Sequence, residues 1–346
     1  MRGQSLTRQI LILAAIAALL ALAWVLWEVV LLAFAAAVLA ILLRGFARNI
    51  ERLLPLTPTW SLVLAVVIVL LVVGGAIMLF GVQVGAQIDT LFDALPRAWD
   101  AARERLREFG PIGTWVDSLG DKAFADGNIT GRLTGFLSTA FGIAADLLLI
   151  LAGALYFAIQ PAMYRDGLVV LFPPAQRAHA SDALNRCGDA LWQWMLGQLI
   201  SMAIVGVLTT TALTLIGLPT ALALGLFAGL AEFVPVVGPI AAAVPALIIA
   251  LSQSYEMTLW VLAAFVVIQQ VEGYVLQPLV QRRMVSLPPA LLLFSIVAMA
   301  ILFGGLGVVL AAPLTVVLFV LVREVYLRDT LGEKVKPVVP RKKWPA

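Results

Sequence analysis

Three carboxylates stand in segments that are otherwise apolar. Asp146 is the only acidic or basic side chain between Ser138 and Ile159, Glu232 the only one between Leu218 and Leu251, and Glu272 the only one between Met257 and Leu276, tyrosines aside. An acidic side chain in such surroundings is expensive to keep and by default marks an ion or proton path. Glu232 opens the stretch "EFVPVVGPI", where Pro235, Gly238 and Pro239 interrupt a long apolar run. Each proline removes a backbone N–H, and the glycine permits an unusual φ or a close backbone approach. Glu232 therefore suits two roles: a carboxylate that carries a coupling ion or proton, or a group that satisfies backbone freed by the break. Glu272 lies in "QQVEGYVLQP" beside Gln269 and Gln270 and suits the same coupling role. Its alternative is a structural hydrogen bond between helices, to Gln193 or Gln198. Asp146 is the weaker candidate, placed either near an interface or opposite an arginine at a subunit contact.

Other chemistries are excluded by what the chain lacks. One histidine (His179) and one cysteine (Cys187) cannot build a His-based metal centre, a Ser-His-Asp triad or a disulfide framework. No H-E-x-x-H, G-x-S-x-G or G-x-x-x-x-G-K-[ST] occurs, so no enzyme activity, no cofactor, no metal and no ATP drive are expected. The net charge of +3 and the basic ending "RKKWPA" fit lipid head groups rather than nucleic acid.

These residues must be positioned inside a bilayer. The 346 residues are 62% hydrophobic and 12% charged, with a mean hydropathy of +1.03. A soluble domain has about 45–50% apolar and about 25% charged residues. The fold class is thus an all-α polytopic membrane protein. Six runs are suited to full spans: Ile10–Trp27, Val29–Leu43, Ser61–Val82, Ser138–Ile159, Leu191–Ile216 and Met257–Leu276. Two others, Pro219–Leu251 and Pro289–Val322, would as straight helices rise about 50 Å, well beyond a core of about 30 Å. Both contain internal Gly and Pro, so each is expected to form two half-length helices in a re-entrant hairpin. In the second, Gly307 and Pro313 are the expected break positions, and Gly304-Gly305 suits either a hinge or, as the preferred reading, close helix packing.

The chain is then ordered as N-terminal transmembrane helices (1–82), an extramembrane helical insert (83–137) and a transmembrane helix (138–160). A cytoplasmic interfacial segment (161–190), a first transport repeat with the PVVGP break (191–251), a second repeat (252–322) and a basic cytoplasmic tail (323–346) follow. Arginines in the 44–60 and 161–190 loops and in both termini fall on one side if the termini are cytoplasmic. Arg282 and Arg283 join them only if 219–251 is a hairpin. Trp24, Trp27, Trp60, Trp192 and Trp194 are expected as interfacial anchors.

The two broken segments resemble each other. "LPTALAL" at 218–224 and "LPPALLL" at 287–293 stand 69 residues apart, and at that offset Gly238 meets Gly307. One span before each hairpin would make the two units an inverted repeat. Proteins built this way hold substrate near the midplane, between discontinuous helices.

At "EFVPVVGPI" the chain resembles the autoinducer-2 exporter family of bacterial permeases, whose hallmark is a P-x-x-G-P break. "LWQWMLGQLIS" at 191–201, "QQVEGYVLQPLV" at 269–280 and "LPPALLLFSIVAMAILFGGLGVVLAAPLTVVL" at 287–318 extend the likeness over about residues 10–325. The resemblance implies a multi-pass permease of the bacterial inner membrane, assembled as a homo-oligomer. It implies export of a small polar solute or signal such as autoinducer-2, or else monovalent cation/proton antiport.

Overall fold

The computed structural model describes residues 25–72, 129–276 and 287–323, with isolated positions at 74, 75, 78, 87, 99, 104 and 278. The expected first span, most of the insert, the loop carrying Arg282 and Arg283, and the basic tail lie outside the described residues. All regular structure among the described residues is helical. Four described helices are long and apolar enough to cross a bilayer, and residues 144–159 supply a further apolar segment that ends in a sharp bend.

Helix α1 (Trp27–Leu53) continues ten residues past Leu43 and carries Arg44, Arg48 and Arg52 on its last turns. It stops at Leu54, whose extended backbone (φ −128°, ψ 134°) is what a following proline favours. Helix α2 (Pro58–Val72) returns alongside it. With α3 (Ile129–Ile159) these two form a tight subunit around Ala36, Ala40, Ala47, Ala65, Ala154 and Ala158. Small side chains at every crossing let the backbones approach, which is how helices gain packing in lipid. At Gln160 the chain bends by 87° into α4 (Pro161–Val170), none of whose residues is buried. Arg177 closes the end of α4 by donating to the carbonyls of Phe172 (3.2 Å) and Val170 (3.3 Å). A cation on the last carbonyls of a helix is favourable in both charge and hydrogen bonding.

Helix α5 (Arg177–Ile216) is the mast of the molecule. Its 40 residues rise about 60 Å, so its polar first third, with the Asp182–Arg186 pair, extends beyond the hydrocarbon. No interruption marks residue 190, where the sequence passes from an interfacial to a spanning pattern. The helix ends at Gly217, in the left-handed region at φ 82°, with the Leu218 N–H bonded back to the Leu213 carbonyl at 2.9 Å. Helices α1 and α5 run antiparallel: Arg48 faces Asp189, and a Cβ on Gly45 would fall inside the ring of Trp192.

The two broken segments lie on this mast. Helices α6 (Ala221–Ala231) and α7 (Val237–Gln253) form the first hairpin. Its base, Leu218 with Ile249 and Ala250, packs with Leu213 at the far end of α5 and with Val261 and Phe265 of α8 (Tyr255–Val271). Its tip reaches back to Trp194 in the middle of α5. Helix α9 (Pro289–Leu321) is the second hairpin, folded at Gly304 (φ 60°, ψ −143°). That pair of angles is open essentially to glycine alone. A Cβ on Gly307 would lie 2.2 Å from the Met299 carbonyl, a contact no straight helix brings together. Leu292 and Val320 likewise share one cluster, although an unbroken helix would hold them about 42 Å apart. The base of this hairpin packs on Cys187, Ala190 and Leu191, and its tip, at Phe303, meets Trp27 at the other end of α1. The two hairpins therefore point in opposite directions.

Three sequence-based expectations change. The second break falls at Gly304, not at Gly307 or Pro313; Pro313 sits inside the continuous limb 305–321. Of the two readings of Gly304-Gly305 the hinge holds and the packing contact does not, since no described residue lies within 4 Å of a Cβ at either position. Trp194, 8% exposed, is a core residue rather than an interfacial anchor.

The α5–α6 crossing rests on Gly225-x-x-x-Gly229 of α6 against Gly206 and Thr210 of α5. A Cβ at Gly225 would meet the Thr210 side chain at 1.9 Å and its backbone N at 2.7 Å. Gly225→Ala should cost about 1–3 kcal/mol by overpacking and lower the thermal midpoint of the purified protein. Gly188→Ala, in the same long helix with nothing within 4 Å, should leave that midpoint unchanged or raise it.

Candidate functional site

The first hairpin turns over residues 232–236. Several of the carbonyls around it have N–H partners within the turn itself. Ala228 accepts from the Glu232 N–H, Leu230 from Phe233 and Ala231 from Val234, all at 3.0–3.1 Å. Val234 accepts from Gly238 and Pro235 from Val237, both at 2.8 Å. The last bond closes a three-residue γ-turn centred on Val236 (φ 70°, ψ −51°), a rare and strained form for a β-branched residue. Gly238 starts α7 so close to the end of α6 that a Cβ would sit 2.0 Å from the Ala231 carbonyl oxygen. Pro239 lies in the first turn of α7, where a missing N–H is tolerated.

Gln198 of α5 donates its side-chain amide to the carbonyl of Glu232 in a short hydrogen bond. Phe233 packs edge-on against Trp194, ring centroids 6.0 Å apart, and joins the cluster that holds Ala312 and Val316 of the second hairpin. The turn is thus clamped to α5 by one polar and one aromatic contact.

The Glu232 side chain is 1% exposed and its Oε2 has no hydrogen-bond partner among the described residues. It faces Glu272, which lies 40 positions on, near enough for the two carboxyl groups to interact. Glu272 begins a π-helical turn, Glu272–Leu276, that continues α8. Such local widenings occur often at functional positions. Gln269, three residues earlier, donates to Glu272 Oε2 at 3.1 Å. Four carboxyl oxygens therefore gather where the broken hairpin meets the widened turn. Two carboxyl groups in this contact can share a proton, and the same oxygens can instead surround a monovalent cation.

Of the sequence candidates, Glu232, Glu272, Gln198 and Gln269 come together with Pro235, Gly238 and Pro239. Gln270 is exposed beside them and takes no part in these bonds. Asp146 is half-buried on α3, which packs on α1, α2 and α4 rather than on the helices of the carboxyl pair. Among the described residues the side-chain donor to Glu272 is Gln269, not Gln193 or Gln198, and Gln198 serves the Glu232 carbonyl instead. Sequence reasoning missed Phe233, Trp194 and the Gly225-x-x-x-Gly229 crossing, although the last was a readable small-residue motif.

Discontinuous helical hairpins that meet around buried carboxylates, on an all-helical apolar scaffold, define a polytopic membrane permease. The particular family follows from comparison with known proteins. The AI-2E family transporter profile matches residues 13–327, and the chain belongs to that family. It is 31% identical over 202 residues to YrrI of Bacillus subtilis, covering 58% of this chain and 56% of that one. It is 30% identical over 267 residues to MT0215 of Mycobacterium tuberculosis, covering 72% and 71%. With the AI-2 transport protein TqsA of Escherichia coli it shares 23% over 282 residues, or 78% of each chain. The match to YrrI spans little more than half of that relative's length.

Replacing Gln198 by Leu would leave the Glu232 carbonyl without its donor. The loss expected is about 1–3 kcal/mol, seen as a lower thermal midpoint. An unchanged midpoint would mean that the clamp is not what holds the turn.

Proposed function

We propose that the protein is a secondary transporter of the bacterial inner membrane that exports a small polar solute, with Glu232 and Glu272 as its coupling pair. The observation that carries this reading is the meeting of two carboxylates from separate transport units at a broken helix. The name of the relative TqsA makes the AI-2 signal a first candidate cargo. Opposed hairpins 69 residues apart support an inverted repeat in which 191–251 and 252–322 alternate access to the pair. The arginines of α1 and of the 161–190 segment support cytoplasmic termini. The many apolar side chains exposed on a single chain support a surface shared between lipid and further copies in a homo-oligomer.

A second reading is favoured by the same oxygens. A pair that binds a proton or a monovalent cation in turn is the minimum equipment of a sodium or lithium/proton antiporter. The two readings separate in vesicles that hold a pH dye, with sodium, lithium or potassium gradients imposed. Antiport predicts a cation-driven pH change that falls at least tenfold in Glu232→Gln and Glu272→Gln and persists in Asp146→Asn. No pH change from folded wild-type protein rejects antiport, and counterflow of labelled AI-2 and related polar solutes then tests export. Failure of both assays in active-orientation vesicles would overturn the proposal.

A further inference from the structure

Helix α6 begins without the cap that its sequence offers. Thr220 stands at the N-cap, with the Leu224 N–H bonded to its carbonyl at 3.0 Å. Its backbone, however, is left-handed (φ 62°, ψ 23°), and its hydroxyl donates to the Pro219 carbonyl at 2.6 Å. The hydroxyl makes no cap bond to the first turn, whose N–H groups have no partner inside the helix. The vacancy at the third position is filled from elsewhere: the Ala223 N–H donates to Oε1 of Gln87, 136 residues earlier, at 3.1 Å. Ala223 is 4% exposed, so water is no substitute.

We propose that Gln87 is a positioning residue: a cap lent to α6 by the start of the 83–137 insert, which fixes the helix whose other end carries Glu232. The mechanics follow from the length of α6. Its 11 residues make three turns, about 16 Å. The rod is pinned at one end by Gln87, in the middle by the Gly225 and Gly229 crossing, and at the other end by Gln198 on the Glu232 carbonyl. Withdrawing Gln87 releases the first turn and lets the rod shift along α5, which moves Glu232 relative to Glu272. The insert thereby gains a mechanical hold on the carboxyl pair through one amide oxygen. The inference rests on the proposed role of that pair only for its biological meaning; the mechanical link stands apart from it.

The test compares Gln87→Met, which keeps the shape and loses the acceptor, with Gln87→Glu, which keeps the acceptor. Amide hydrogen exchange over 221–224 is measured in lipid nanodiscs, with 205–213 of α5 as internal reference. The rate at which a hydrophobic carbodiimide modifies Glu232 is followed by mass spectrometry of the same samples. Gln87→Met should speed exchange in the first turn roughly fivefold, the scale of a lost N-cap, leave 205–213 unchanged, and alter Glu232 modification at least twofold. Gln87→Glu should match wild type in both. Unchanged exchange in Gln87→Met would overturn the cap, and changed exchange with unchanged Glu232 modification would overturn the positioning role. Neither readout requires a substrate, so a failed transport assay would count against the coupling reading and not against this one.

Discussion

Inside hydrocarbon an unpaired backbone N–H or C=O costs several kcal/mol, and there is no water to relieve it. The rest of the architecture answers to that constraint. A helix broken at Glu232 releases carbonyls that an intact helix would keep, and the turn recovers most of them through its own N–H groups. For the Glu232 carbonyl a second helix supplies the donor, through Gln198. The Val236 γ-turn follows from the same demand: a strained φ is accepted because it lets Val237 reach the Pro235 carbonyl. The start of α6 obeys the rule as well, through Gln87.

This satisfaction dictates packing. Gln198 can reach the Glu232 carbonyl only if α6 lies almost in contact with α5, and the glycines at 225 and 229 provide that approach. Gly238 does the same between the limbs of the hairpin, and Gly307 between those of the second. The aromatic contact of Phe233 with Trp194 then ties the first tip to the cluster at the base of the second hairpin. The two opposed hairpins are in this way joined through α5, with the carboxyl pair beside the junction.

Much of this was legible in the sequence because bilayer physics is strict. Apolar run length gave the spans that fall among the described residues, the P-x-x-G-P stretch gave the first break, and isolated carboxylates gave Glu232 and Glu272 as separate candidates beside Asp146. The second break was misplaced for a definite reason. Proline is the conventional helix breaker, yet Pro313 is accommodated in a continuous limb, while Gly304 takes a conformation that only the absence of a Cβ allows. Trp194 was taken for an anchor because tryptophan favours interfaces; its burial depends on Phe233 arriving from another helix, a tertiary fact. The meeting of Glu232 with Glu272 and the reach of Gln87 to Ala223 are likewise contacts between distant segments, to which no periodicity points.

The two hairpins point in opposite directions and share close glycine contacts, but they differ in chemistry. The limbs of the second contain no ionisable side chain, and Ser295 and Thr315 are their only hydroxyls. Thr315 spends its hydroxyl on the Ala311 carbonyl, within its own helix. The first hairpin carries Glu232, and its partner Glu272 comes from the start of the second unit, ahead of the second hairpin. On the proposed reading, any free-energy difference between access states that depends on proton or cation must therefore be generated at the first hairpin. The second hairpin can contribute only packing and steric closure. A symmetric backbone plan with its charge on one side binds a coupling ion at one place while still allowing two related arrangements of the helices around it. Phe233, directly after Glu232, packs in the cluster at the second hairpin's base and so links the charged turn to the hairpin that closes by packing alone.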